Sequence, residues 1–153
     1  MRKLKIYIDT SVIGGYFDPE FEDESKRLFK KFQDKDFDMV ISDLTQSELI
    51  RAPKNVKDLI NDLNLQPEIV SISPEVIALA QEYIKENIVG QTSLDDCLHI
   101  ALATINNIDI LVSWNFKHIV NIIRIRGYSA INILNGYPTI EIRSPKDIID
   151  YED

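Results

Sequence analysis

Strand-like and helix-like runs take turns along this chain, and that alternation limits its fold more than any other feature. Leu4 to Ile8 alternates as a strand and ends at Asp9. Thr10 and Ser11 favour a helix start, so a short helix through Tyr16 is expected, weakened by Gly14 and Gly15. Glu20 to Asp34 reads as a helix with Leu28, Phe29 and Phe32 on one side. Phe37 to Ile41 is a second strand, Leu44 to Arg51 and Asn55 to Leu63 are two helices, and Glu68 to Ile72 is a third strand. Ser73 caps the next helix, with Pro74 at its first position and Gly90 past its end.

Leu94 to Asn106 is the clearest helix. Leu94, Cys97, Leu98, Ala101, Leu102 and Ile105 form one apolar stripe, and Ile100 and Ala103 lie opposite, so both faces should be buried. Ile108 to Val112 is a fourth strand, Lys117 to Arg124 looks helical, and Thr139 to Ile142 is a last strand. The pattern predicts an α/β fold: a three-layer α/β/α sandwich around a mostly parallel central sheet of four to five strands. The chain has 153 residues and shows no linker, repeat or low-complexity tract, which predicts a single domain over residues 1–153.

Charge narrows the function classes. The net charge of −8 opposes general nucleic-acid binding, because phosphate contact needs Lys and Arg. The acids are uneven, however. Five fall between Asp18 and Glu24 and four between Asp147 and Asp153, while Ile110 to Ile140 has none and carries Lys117, His118, Arg124 and Arg126. That stretch can form a local positive face. No apolar run is long enough to span a bilayer, and the N-terminus lacks the apolar stretch of a signal peptide, so the cytoplasm is the expected location. Cys97 is the only cysteine and reads as a small core residue.

Four segments place polar or acidic groups where strands hand over to helices: Asp9-Thr10-Ser11, Thr45-Gln46-Ser47-Glu48, Ser93-Leu94-Asp95-Asp96 and Ser113-Trp114-Asn115. In a sheet flanked by helices these positions meet along one edge. Each acid alone has a structural explanation. Asp9 can cap a helix, Thr45-x-x-Glu48 fits a capping box, Ser93-x-x-Asp96 nearly does, and acids suit a helix's first turn. Their joint placement is what capping leaves unexplained. Asp96 also opens a helix expected to be buried, where a lone charge is costly and needs compensation. Carboxylates gathered at one edge would hold a hard divalent cation and, with no cation, would repel and raise at least one pKa.

The ordered set resembles the PIN domain family, which includes the VapC-like toxin ribonucleases. The resemblance is carried by Tyr7-Ile8-Asp9-Thr10-Ser11-Val12, Ser47-Glu48-Leu49, Asp96-Cys97-Leu98-His99-Ile100-Ala101-Leu102-Ala103 and Leu111-Val112-Ser113-Trp114-Asn115-Phe116. It runs from about Lys5 to Phe116. It implies a metal-dependent endoribonuclease that cuts RNA phosphodiester bonds, with Asp9, Glu48, Asp96 and Asn115 as catalytic positions and Mg²⁺ or Mn²⁺ held by Asp9, Glu48 and Asp96. Thr10, Ser11 and Lys117 would contact the substrate. Many relatives are toxins of toxin–antitoxin pairs, which would bring an antitoxin protein and a homodimer as partners. Asn115 departs from the pattern, since many relatives carry Asp there; Asn can coordinate through its carbonyl oxygen but adds no charge. Asp95 is turned away from Asp96 around the helix and is at best an outer contact.

Other residues have bland and functional readings. His99 is expected in the core or behind the site rather than as a base, and His118 on the surface or at a phosphate. Trp114 and Phe116 either pack a core or stack on unpaired bases. Two rival functions stay open: an inactive module of the same fold that binds RNA or protein, and an unrelated Mg²⁺-dependent phosphatase, whose usual second acid is missing because Thr10 and Ser11 follow Asp9.

Overall fold

A computed structural model describes residues 2–86 and 94–150. Gly90 and Ser93, named above as helix-end and capping positions, lie outside the described residues. The central sheet is built from β1 (Leu4–Ile8), β2 (Phe37–Ser42), β3 (Glu68–Val70), β4 (Ile110–Val112) and β5 (Ile142–Arg143). Their order is β3-β2-β1-β4-β5, and every neighbouring pair is parallel. This is the expected architecture with five strands. The chain moves outward from β1 through β2 to β3, and later returns to the other side of β1 for β4 and β5.

Strand periodicity splits the core into two layers. Ile6 and Ile8 of β1 face one side with Met39, Ile41, Ile110 and Val112. Against them pack α1 (Thr10–Gly15), α2 (Glu22–Gln33), α4 (Lys54–Asp62) and α8 (Pro145–Ile148). Tyr7, Val40 and Leu111 face the other side, covered by α5 (Pro74–Lys85), α6 (Leu94–Ile105) and α7 (Ile122–Leu134). A further helix, α3 (Asp43–Leu49), follows directly on β2 and sends Leu44 to one layer and Leu49 to the other. α6 is buried on both faces from Cys97 to Thr104, as its pattern predicted. Burial pushes the Cys97 thiol up to about 12, in keeping with a core role.

Three expectations shift. The helix expected at Lys117 to Arg124 begins later, at Ile122, because the Asn121 side chain accepts from the N–H groups of Ile123 and Arg124 and caps it there. Residues 116–119 form a turn instead, opened by Asn115, whose Oδ1 accepts from the His118 N–H at 3.0 Å. The last strand is Ile142–Arg143, not Thr139 to Ile142, since only those two residues reach the β4 register. Thr45-x-x-Glu48 is not a capping box. Ser42 caps α3 by accepting from Thr45 N–H, which places Thr45 inside the helix.

The two glycines of α1 do different work. Gly14 has open space where a Cβ would go, but a Cβ on Gly15 would lie 2.7 Å from both Ser25 Oγ and Trp114 Nε1. Those two atoms share a hydrogen bond of 2.9 Å, donated by the indole, and Trp114 stacks on Phe21 with centroids 4.3 Å apart. Gly15 is therefore what lets Trp114 dock on α2. Gly15→Ala is expected to cost about 1–3 kcal/mol by overpacking, whereas Gly14→Ala should be stabilising by roughly 0.5–1 kcal/mol. Urea melts of the two variants compare them directly; equal stabilities would mean that the Trp114 contact is not tight.

Candidate active site

The strand order reverses at β1, so the crevice at the carboxyl ends of β1 and β4 is the sheet's topological switch point. The two strands deliver Asp9 and Ser113 to that crevice as the residues immediately after their last positions. Asp9 is only 5% exposed. Its carboxylate accepts from Ser11 Oγ and Ser113 Oγ, both at 2.6 Å, and from the Val12 N–H at 3.3 Å. Asp9 thus caps α1, as its structural reading has it, and also belongs to a hydroxyl cradle. Burial pushes its carboxyl above the ordinary range, and the Ser11 and Ser113 hydroxyls, with His99 when its ring is charged, pull against that rise. A raised carboxyl was expected from repulsion among the acids, but the cause that raises it is desolvation.

Glu48 reaches the same edge from α3. Its Oε1 accepts from Thr10 Oγ1 at 2.7 Å and lies 2.8 Å from His99 Nε2 on α6. Half-burial raises its carboxyl, but the His99 hydrogen bond and charge, together with the Thr10 hydroxyl, outweigh this and hold it below the ordinary range. Asp96 opens α6 and is partly buried. Asn115 Nδ2 lies 3.5 Å from Asp96 Oδ1, a weak donor contact, and Asn115 N–H donates to Ser113 Oγ at 2.9 Å. One chain of contacts therefore runs Asp96–Asn115–Ser113–Asp9, and a second joins Glu48 to Thr10, the residue after Asp9.

The remaining sequence candidates fall as follows. Thr10 and Ser11 spend their hydroxyls on Glu48 and Asp9, and Ser11 Oγ also accepts from the Trp114 N–H at 3.0 Å. Lys117 and Asp95 are exposed, and His118 is partly buried. Trp114 packs in the core, while Phe116 stays half exposed beside it. His99 is buried, behind Glu48. Sequence reasoning placed Ser113 at this edge but not on Asp9, and it missed Tyr7, Ser42 and also Asp43, whose two carboxylate oxygens accept from the Ile72 N–H at 3.1 and 3.2 Å. Ser113 had a signal, a hydroxyl residue closing a strand. Tyr7 had none, because in a strand it reads as core.

The chemistry of the donors suits a hard cation: carboxylate, amide and hydroxyl oxygens, with no thiolate among them. Among the described residues, however, no group of three or more His, Cys, Asp or Glu is placed to hold a metal ion by itself. The fit is thus to Mg²⁺ or Mn²⁺ held by one or two carboxylates, with water and substrate phosphate completing the shell, which is how Mg²⁺ is usually bound.

Comparison with known proteins bears on the family and the fold. The PIN domain family model matches residues 6–115. Among solved structures, the fold is similar to VapBC2 from Rickettsia felis bound to a DNA fragment from their promoter, at 16% identity and TM-score 0.57, over 92% of this chain and 98% of that one. It is similar to Mycobacterium tuberculosis VapC20, a sarcin–ricin loop cleaving toxin, at 14% identity and TM-score 0.58, over 88% of this chain and 98% of that one. It is also similar to FitAcB from Neisseria gonorrhoeae, at 12% identity and TM-score 0.58, over 94% of this chain and 99% of that one. At these identities the likeness speaks for the fold alone. The search of curated proteins gave no match.

Proposed function

The chain belongs to the PIN domain family, a family of nucleases, and from that membership we propose a Mg²⁺- or Mn²⁺-dependent endoribonuclease that occupies residues 1–153 as one domain. The observation that carries the reading is Asp9, a buried carboxylate held by two serine hydroxyls at the switch point of the sheet. Burying an acid costs stability, so a position that keeps one needs a use for its charge.

One or two of Asp9, Glu48 and Asp96 would hold the cation directly, and the rest would reach it through water. When bound, it lowers the pKa of a water and offsets charge on the phosphate oxygens. The protein's own share is orientation. Ser11 and Ser113 fix the Asp9 carboxylate, Thr10 and His99 fix Glu48, and Asn115 steadies Asp96 while its carbonyl is tied to the turn at His118. Lys117, exposed two residues beyond Asn115, offers a positive charge to substrate phosphate.

We further propose the toxin half of a toxin–antitoxin pair as the biological setting; the fold it shares with VapC20, a toxin, favours this, and an antitoxin protein, a homodimer and the cytoplasm are what membership of the family would bring with it. A second reading, a binding module with a weak or dead site, is favoured by Asn115 in the fourth position and by the lack of a three-acid group among the described residues. Incubation with single-stranded RNA and Mn²⁺ separates the two. Cleavage that stops with a chelator supports the nuclease, and tight RNA binding with intact RNA supports the module. Co-purification with the product of an adjoining small reading frame would test the antitoxin.

A further inference from the structure

Behind Glu48 a line of polar groups runs through the core. Ser42 Oγ shares a hydrogen bond with Tyr7 OH at 2.8 Å, Tyr7 OH shares one with His99 Nδ1 at 2.5 Å, and His99 Nε2 meets Glu48 Oε1 at 2.8 Å. Tyr7 and His99 are 0% and 3% exposed. The residues come from β1, the end of β2, α3 and α6, so the line ties together elements from three parts of the chain. Every buried side-chain nitrogen or oxygen among the described residues has a partner. An apolar core would be cheaper here than a polar chain, unless the chain does something at its end.

We propose that Tyr7 and His99 are positioning residues that aim the Glu48 carboxylate at the cation site. The inference rests on the reading of Glu48 as an acid of the cleavage site. An ionised carboxylate only accepts hydrogen bonds, so Nε2 carries the hydrogen whether the ring is neutral or charged. Tyr7 on Nδ1 then locks the ring plane, and the two edges of the imidazole fix its rotation. With Thr10 on the same oxygen, Glu48 is held from both sides. This is the arrangement in which an outer partner orients a metal-ligating group and sets its affinity.

Tyr7→Phe removes one oxygen and keeps the ring. The wild-type protein should show a slowly exchanging Nε2 proton on His99 by long-range proton–nitrogen NMR, a clean measurement because the chain has only two histidines. In Tyr7→Phe that proton should exchange faster, and the Kd for Mn²⁺ should rise about tenfold. A purely structural role would lower the melting temperature while leaving the Mn²⁺ affinity and the Nε2 signal unchanged; that result overturns the proposal. So does a wild-type ring with no hydrogen on Nε2. If the wild type takes up no Mn²⁺ but the Nε2 proton is present and is lost to fast exchange in Tyr7→Phe, the positioning of Glu48 stands and the metal-dependent reading falls.

Discussion

Asp9→Asn should abolish cleavage and yet leave a protein at least as stable as the original. Asn is nearly isosteric. Its oxygen can accept from one of the two serine hydroxyls, and its amide can donate to the other, so the crevice keeps its shape. What disappears is the negative charge. If the cation supplies several kcal/mol of transition-state stabilisation and Asp9 is one of its ligands, as proposed, losing that charge lowers the rate on the order of a thousandfold or more. Stability moves the other way. Burial holds the Asp9 carboxyl above its ordinary range, so the folded state disfavours the ionised form. The contribution of this group is present below the unfolded value, about 3.9, and is lost as pH rises through the higher folded value. At neutral pH the neutral Asn escapes that loss. Cleavage by Asp9→Asn at a wild-type rate would remove Asp9 from the site. A large drop in melting temperature would mean that the ionised carboxylate stabilises the fold on balance, since Asn caps a helix as well as Asp does.

Cation binding should raise the melting temperature of the wild type and not that of Asp9→Asn. At a concentration 100 times its Kd, a ligand that binds only the folded state stabilises by about 2.7 kcal/mol. For a chain of this size that is roughly 5–10 °C. Mg²⁺ and Mn²⁺ should both act, because the donors are oxygens and the ions differ little in what they ask of them. Melts with and without each ion, at constant ionic strength, provide the comparison. Identical curves for the wild type would leave the site without its cation and would favour the binding module.

Much of this arrangement was legible in the chain. The period-2 pattern of β1 placed Tyr7 opposite Ile6 and Ile8, and the double-sided apolar pattern of α6 matched a helix buried on both faces. Both signals are local and strong, because a strand or helix between two layers has few tolerable sequences. Boundaries set by a single side chain were less legible. α7 starts at Ile122 because Asn121 caps it, and Asn115 and Asn121 look alike in sequence as helix starters. Gly15 looked like a weakness of α1, and only the approach of Trp114 from more than ninety residues away gave it a purpose.

The sequence by itself determined the layers, the parallel sheet and the edge where Asp9, Glu48 and Asp96 would lie, because backbone hydrogen bonding and burial follow residue periodicity. Only the tertiary structure decided what each acid touches. Ser113 on Asp9, His99 and Thr10 on Glu48, and Asn115 on Asp96 join residues that are between 19 and 104 positions apart. Hydrogen bonds act over about 3 Å, and no pattern along the chain says which distant donors will come that close.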